Sequence, residues 1–240
     1  MSSTNIARKV PRKISFTTNI NPYAAGSVIA EFGNTKVHIT ASVEDSVPPH
    51  LKGKGTGWIP AEYNMLPMST HSRVRRERTS IGGRTQEIQR LIGRSLRSII
   101  DMKALGERSI TVDCDVLVAD GGTRTTSISG AFIALDLAVK KMRRDGIISG
   151  YPIKEPLAAI SVGINREGKI IADLNYDEDS NCNTDMNLVM TKSGKLVEVQ
   201  GTAEGNPFSK EELDAMILCA QEALKVVFDK QEEAIRQGTR

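Results

Sequence analysis

A strand, a glycine turn and a helix built from small residues follow one another in the middle of the chain. Apolar residues occupy every second position from Ile110 to Val118, which predicts a strand because successive strand side chains point to opposite faces. Gly121 and Gly122 form the turn, and helical spacing follows from about Thr126 to Met142. The small residues of that helix would let it lie close against a sheet while buried. This succession predicts an α/β fold.

Elements of the same kinds are predicted on both sides of this unit. Apolar and polar residues alternate around short turns in three predicted hairpins, at 27–43, 158–174 and 186–200. The Gly-rich stretch from Val47 to Pro67 is predicted to be a loop, and Thr85–Ile100 a helix. A last helix begins at a capping box formed by Ser209 and Glu212. Without an internal repeat or a linker, one α/β domain with a mixed β-sheet packed with α-helices is expected over 1–240.

The composition favours a soluble intracellular protein. Hydrophobic residues make up 39% and charged residues 25% of the chain, which allows a packed core and excludes wholesale disorder. The three cysteines lie far apart without a C-x-x-C pair, which argues against a zinc site or a disulfide framework. No apolar run has membrane length, so we expect a cytoplasmic location and no membrane partner. The first 14 or so residues are expected to be flexible.

Positive charge is concentrated in one segment. Eight arginines and only two acidic residues lie between Arg73 and Arg97, although the whole chain has a net charge of only +3. Arginine, with its planar guanidinium, can bind a phosphate or carboxylate through two parallel hydrogen bonds. The segment therefore favours contact with a polyanion, and the alternative is a solvated helix face beside an exposed loop.

Two glycine turns are each followed by an arginine at the predicted start of a helix. The first is Gly82-Gly83-Arg84 and the second is Gly122-Thr123-Arg124. Free N–H groups at a helix start attract anions, and the arginine adds further donors. The second turn lacks the spacing and the lysine of a nucleoside-triphosphate P-loop. Together the two turns predict a phosphate site.

An acidic segment holds a second candidate site. Asp179 and Asp185 are separated by Ser-Asn-Cys-Asn-Thr, whose residues favour turns, so the chain can fold back and bring both carboxylates together. Two close carboxylates at neutral pH need a divalent cation or a shared proton, and ligation by oxygen alone suits Mg²⁺. The alternative interpretation is an acidic surface loop.

Five runs of residues, in this order, resemble the bacterial ribonuclease PH family: Gly57–Pro67, Gly83–Arg97, Asp113–Arg124, Asp173–Asn187 and Val197–Glu204. The resemblance implies a single ribonuclease PH-like domain and a phosphate-dependent 3′→5′ exoribonuclease, also described as a tRNA nucleotidyltransferase. Such an enzyme trims the 3′ ends of tRNA precursors and other structured RNAs such as rRNA, and releases nucleoside diphosphates. The reverse reaction adds nucleotides. Mg²⁺, inorganic phosphate as co-substrate and a hexameric ring built as a trimer of dimers are also implied.

The same resemblance implies roles for individual residues. Phosphate binding is implied for Arg84, Gly122, Thr123 and Arg124. Catalysis and Mg²⁺ binding are implied for Asp179 and Asp185. Contact with the tRNA backbone is implied for Arg73, Arg75 and Arg76.

The chain departs from the family pattern at positions that are expected to affect RNA binding. An Asp-Gly-Arg near the N-terminus is absent, and only Arg8 and Arg12 lie nearby. Met68 stands where the family usually has arginine. A catalytically silent, RNA-binding ring subunit of the exosome-core type is the alternative function, and the intact phosphate and carboxylate positions argue against it. A small-molecule kinase is disfavoured because no ATP phosphate loop is present.

Overall fold

Two five-stranded sheets and five α-helices make up the part of the chain that the computed structural model describes, which is 6–77, 79–204 and 206–239. The strands are β1 (Ile6–Arg8), β2 (Ile14–Thr18), β3 (Gly26–Phe32), β4 (Thr35–Glu44), β5 (Ala61–Met65), β6 (Ser109–Val118), β7 (Leu157–Ile164), β8 (Ile170–Ala172), β9 (Thr184–Thr191) and β10 (Leu196–Ala203). The helices are α1 (Gly83–Ser98), α2 (Met102–Leu105), α3 (Thr123–Arg144), α4 (Tyr176–Asn181) and α5 (Lys210–Gly238). A short 3₁₀ helix spans Pro49–Leu51.

The first sheet has the strand order β2-β3-β4-β6-β5 and is antiparallel except for the parallel pair of β5 and β6. Helix α3 packs across β3 and β4 of this sheet. The approach is close because the helix carries small residues. A Cβ added at Gly130 would collide with the side chains of Ile39 and Ala30. The small-residue pattern of the sequence therefore has the packing role that we predicted.

The second sheet has the order β1-β8-β7-β9-β10 and is antiparallel except for the parallel pair of β1 and β8. Its strand β7 contacts both α3 and α5, so α3 packs against both sheets. Every residue from Thr125 to Val139 of α3 is buried, which an interior position requires. The start of α3 is thereby held between the two sheets, where the candidate site lies.

The α/β class and the mixed pairing are confirmed, but the strands form two sheets rather than one. The three predicted hairpins are present, and so are the predicted helices and the capping box at Ser209. Strand β5 lies inside the stretch that we predicted to be a loop. It pairs in parallel with β6, which is distant in sequence. Its apolar residues alternate with polar ones from Ala61 to Met65, but the glycines and prolines of the same stretch favour a loop and obscure this short signal.

The N-terminal segment has a defined place within the described residues. Residues 1–5 lie outside them, but Ile6–Arg8 forms β1 and pairs with β8, and Ile14–Thr18 forms β2. Our expectation of flexibility extended over about residues 1–14. In the described part of the chain, no helix is both long enough and apolar enough to cross a membrane.

Candidate active site

A cavity of about 700 Å³ opens where the starts of α1 and α3 meet α4 and β9. Six of the residues singled out in the sequence line it together: Arg84, Gly122, Thr123, Arg124, Asp179 and Asp185. They come from three separate stretches of the chain. The structure therefore joins the predicted phosphate site and the predicted carboxylate site in one cavity.

The turn before α3 depends on two glycines in the left-handed region. Gly121 has φ +74° and Gly122 has φ +66°, values that side-chain-bearing residues rarely adopt. A Cβ at Gly121 would also collide with the backbone of Leu174 and Asn175, which lead into α4. Gly122 is the N-cap residue of α3 and offers no side chain to cap the helix. The first N–H groups of α3 are therefore left for an anion.

Hydrogen bonds from neighbouring strands fix this turn. The Thr35 hydroxyl donates to the Gly121 carbonyl over 2.6 Å and accepts from the Asp120 N–H over 2.9 Å. The hydroxyls of Tyr63 and Thr123 lie 2.9 Å apart and share a hydrogen bond. Burial raises the pKa of Tyr63, so its phenol stays protonated. The glycine turn before α3 is thus held in place by hydrogen bonds within the protein.

The two arginines of the cavity differ in how they are held. Arg124 is only 15% exposed and donates to Glu87 over 3.0 Å and to Gln200 over 2.6 Å. Arg84 stands exposed on the first turn of α1. Both are close enough to Asp179 to oppose the rise that burial causes in the pKa of its carboxyl. The cavity consequently presents one fixed and one exposed guanidinium beside the glycine turn before α3.

Asp179 lies exposed on α4 and Asp185 lies partly buried on β9, and both side chains line the cavity. Burial raises the pKa of Asp179 above its ordinary value, against the opposing effect of Arg124 and Arg84. Burial also raises the pKa of Asp185, and the negative charges of Asp179 and Glu204 raise it further. Both aspartates therefore line one cavity, with α4 ending at Asn181 and residues 182–183 joining it to β9.

The part of the cavity wall that carries Asp179 and Asp185 contains few other carboxylates. Among the residues that the structure describes, no three or more His, Cys, Asp or Glu side chains are grouped so that they could hold a metal ion by themselves. A cation at Asp179 and Asp185 would therefore need further ligands from water or from a bound phosphate. Such a mixed oxygen shell is the usual environment of Mg²⁺.

Several residues of the site were not identified from the sequence. Glu204, Asn187, Ser161 and Tyr176 all line the cavity. Asn187 could have been found, because it lies two positions after Asp185 on a strand and so shares its face. Ser161 on β7 and Glu204 just after β10 reach the cavity through the pairing of these strands with β9, which local spacing does not show. Tyr176 lies on α4, a helix too short to give a periodic signal.

Two N-terminal arginines hold the segment that carries Asp179. Arg8 donates to both carboxylate oxygens of Glu178, over 2.8 and 2.7 Å. Arg12 forms an ion pair with Asp173, which is fully buried. These contacts span more than 160 residues of sequence, so sequence spacing gave no sign of them.

The structure does not bring the predicted RNA-contacting arginines into the cavity. Arg73, Arg75 and Arg76 lie exposed in an irregular segment before α1, while Val74 between them lines the cavity. The Val74 N–H donates to the Pro67 carbonyl over 2.7 Å, which holds the segment at the cavity edge. The three arginines therefore form an exposed basic strip beside the site.

Comparison with known proteins places the chain in a family. Residues 11–141 match the model described as 3′ exoribonuclease family, domain 1, and residues 155–223 match domain 2 of the same family. Ribonuclease PH of Neisseria meningitidis serogroup C is 54% identical over 226 residues, which is 93% of either chain. Ribonuclease PH from serogroup B of the same species is also 54% identical over 226 residues, again 93% of either chain.

Solved structures share the fold at low sequence identity. Rice Rrp46 superposes with a TM-score of 0.77 at 19% identity, covering 95% of this chain and 96% of its own. A chain of the Archaeoglobus fulgidus exosome, solved with RNA bound to the active site, superposes with a TM-score of 0.75 at 19% identity, covering 92% of this chain and 89% of its own. With two family models matching most of its length and relatives identical at more than half of the aligned positions, the chain belongs to the 3′ exoribonuclease family that includes ribonuclease PH.

Proposed function

We propose that this chain is a phosphate-dependent 3′→5′ exoribonuclease that removes nucleotides from RNA 3′ ends as nucleoside diphosphates. The observation that carries the proposal is the single cavity shared by Arg84, the Gly122–Arg124 turn and the carboxylates of Asp179 and Asp185. The half with the arginines and the glycine turn suits an attacking phosphate. The half with the two carboxylates suits a metal ion at the reacting phosphorus. A phosphorolytic reaction needs both halves together.

In the proposed reaction, inorganic phosphate lies between Arg84 and the N-terminus of α3. One of its oxygens attacks the phosphorus that links the last two nucleotides. A new P–O bond forms, and the bond to the 3′-oxygen of the penultimate nucleotide breaks. Fixed donors at the turn lower the cost of bringing two anions together, because they need no reorganisation when charge develops. Since one phosphate bond replaces another, the reaction also runs in reverse from nucleoside diphosphates.

Asp179 and Asp185 would hold Mg²⁺, and their oxygen-only donor set fits this ion. When bound, Mg²⁺ would stabilise negative charge on the oxygens around phosphorus. The leaving 3′-oxygen must also gain a proton. We assign this proton to the Asp185 carboxyl, which lines the cavity and whose pKa is raised by burial and by two neighbouring carboxylates when no ion is bound.

The proposed substrates are the 3′ ends of tRNA precursors and of other structured RNAs such as rRNA. Arg73, Arg75 and Arg76 would contact the RNA backbone outside the cavity, because an exposed run of arginines meets phosphates without reading bases. The body of the RNA would thus be held on this strip while its 3′ end enters the cavity.

Three further properties belong to the same proposal. The enzyme acts as a hexameric ring built as a trimer of dimers, and it works in the cytoplasm. Its two matched halves fold as one domain, which the packing of α3 against both sheets supports.

The direct test is a short single-stranded RNA incubated with the protein, with and without inorganic phosphate. We expect nucleoside diphosphates only when phosphate is present, no product in EDTA, and restored activity with added Mg²⁺. Asp179→Asn and Asp185→Asn should abolish turnover and leave RNA affinity intact. RNA binding without any product from the wild type would instead favour a catalytically silent RNA-binding subunit.

A further inference from the structure

Tyr176 brings an aromatic ring to the cavity that the proposed mechanism does not use. It is the first residue of α4, it lines the cavity, and its side chain is 58% exposed. Aromatic residues make up only 4% of the chain. Of the described residues that line the cavity, Tyr176 is the only aromatic one. Most of the others are polar, charged or small, and they suit the phosphates and the ribose better than a base.

The backbone of Tyr176 is fixed relative to the glycine turn before α3. Its N–H donates to the Asp120 carboxylate over 3.2 Å, and Asp120 directly precedes Gly121. Asn175 caps α4 in a capping box with Glu178, and Arg8 holds the same Glu178 through two hydrogen bonds. The Tyr176 ring is exposed while its backbone is fixed. Such a ring is suited to binding a flat ligand, because little backbone freedom is lost when the ligand binds.

Tyr176 also lies close to Asp179 along the chain. It precedes Asp179 by three positions on the same helix, so both side chains lie on neighbouring parts of one face. Three residues advance a helix by about 4.5 Å. The Tyr176 ring and the Asp179 carboxyl therefore start from backbone positions less than one helical turn apart.

We infer that the Tyr176 ring stacks on the base of the 3′-terminal nucleotide, the nucleotide that leaves as a diphosphate. The inference rests on the proposed function. Stacking accepts all four bases because each has a π-face, which suits an enzyme that removes successive nucleotides of any sequence. Tyr176 would therefore be a substrate-binding residue, and the same contact would hold the base of the departing nucleoside diphosphate.

The test combines a change in the protein with a change in the substrate. Phosphorolysis is measured on an RNA oligonucleotide and on a matched one whose 3′-terminal nucleotide lacks its base. On the ordinary RNA we expect Tyr176→Ala to lower kcat/KM by about 10-fold and Tyr176→Phe to remain close to wild type. On the abasic RNA the wild type should already be slow, and Tyr176→Ala should cause no additional loss. Equal losses on both RNAs would overturn the inference.

A binding measurement separates this inference from the proposed function. By calorimetry, Tyr176→Ala should weaken ADP binding by about 10-fold and leave inorganic pyrophosphate binding unchanged. Tyr23→Ala, which alters a tyrosine that is 95% exposed and lies outside the cavity, is the matched control and should change neither. A wild type that releases no nucleoside diphosphate would refute the proposed function. A wild type that releases it while Tyr176→Ala binds ADP normally would refute only the stacking.

Discussion

Arg12 and Asp173 form a buried ion pair that ties the N-terminal segment to the loop leading into α4. The Arg12 guanidinium donates to both Asp173 oxygens, over 2.9 and 2.8 Å, and the Arg12 backbone N–H donates over 2.9 Å. Arg12 also donates to the Asp120 carbonyl over 2.6 Å. Asp173 has no exposed surface and a φ of +58°, unusual for a residue with a side chain. One arginine thus connects the glycine turn before α3 with the segment that carries Asp179.

Removing this arginine should destabilise the whole protein. Arg12→Ala leaves the Asp173 carboxylate buried without its partner, which costs about 3–5 kcal/mol in comparable pairs. Urea denaturation followed by circular dichroism measures this loss. Arg8→Ala is the matched control, because the Arg8–Glu178 pair is partly exposed and should contribute less. An Arg12→Ala protein as stable as the Arg8→Ala protein would contradict this account of the pair.

Asp185→Asn should stabilise the fold while it removes activity. A carboxyl whose pKa is raised by folding binds its proton more tightly in the folded state than in the unfolded state. Its ionisation therefore costs stability as pH rises through the raised pKa, and this cost is absent below the ordinary value of 3.8. We expect the free energy of unfolding of Asp185→Asn, relative to wild type, to increase from pH 4 to pH 8 in EDTA. Asp229→Asn, at an exposed position of α5, should show no such trend.

Arg84→Ala should act mainly on phosphate. If Arg84 binds the attacking anion, the variant should require more phosphate and lose about 10²-fold in kcat/KM, with little change in RNA affinity without phosphate. Steady-state kinetics at varied phosphate concentration measure this. Arg90→Ala removes an exposed arginine of the same helix that does not line the cavity, and it should behave as wild type. Equal losses of RNA affinity and activity in Arg84→Ala would place Arg84 on the RNA path.

Met68→Arg should change the affinity for tRNA and leave the phosphorolysis of short RNA unchanged. Met68 is 67% exposed and does not line the catalytic cavity. An added arginine here should tighten tRNA binding and steepen its salt dependence by about one unit in the log–log slope. Fluorescence titration at several salt concentrations measures the slope. If phosphorolysis of a short oligonucleotide changed as much as tRNA affinity, position 68 would belong to the catalytic pocket.

The elements predictable from sequence are those whose signals are local. The hairpin of β3 and β4 is encoded by alternation and by the turn at Gly33, and the start of α5 by Ser209 and Glu212. Strand β5 escapes such prediction despite the short alternation from Ala61 to Met65, because it lies among glycines and prolines and its parallel partner β6 is more than 40 residues away. Helix α4 has only six residues, too few for a periodic signal.

The residues of the candidate site also divide into those with a local sequence signal and those without one. The glycine turns and their arginines can be predicted from the sequence, because a helix start suited to anions is a local feature. The partners of Arg124 cannot be predicted from the sequence. Glu87 on α1 and Gln200 on β10 contact Arg124 only in the folded chain. The pairing of Arg12 with Asp173 likewise depends on the pairing of β1 with β8, strands more than 160 residues apart in sequence.

The central claim is that inorganic phosphate is the nucleophile. The measurement is the fate of isotopically labelled inorganic phosphate during RNA degradation, followed by chromatography of the products. We predict that the label appears in the β-phosphate of the released nucleoside diphosphates with the wild type. No labelled product is expected with Asp179→Asn or Asp185→Asn. Release of unlabelled nucleoside monophosphates at the same rate without phosphate would show that water attacks instead, and would contradict the account.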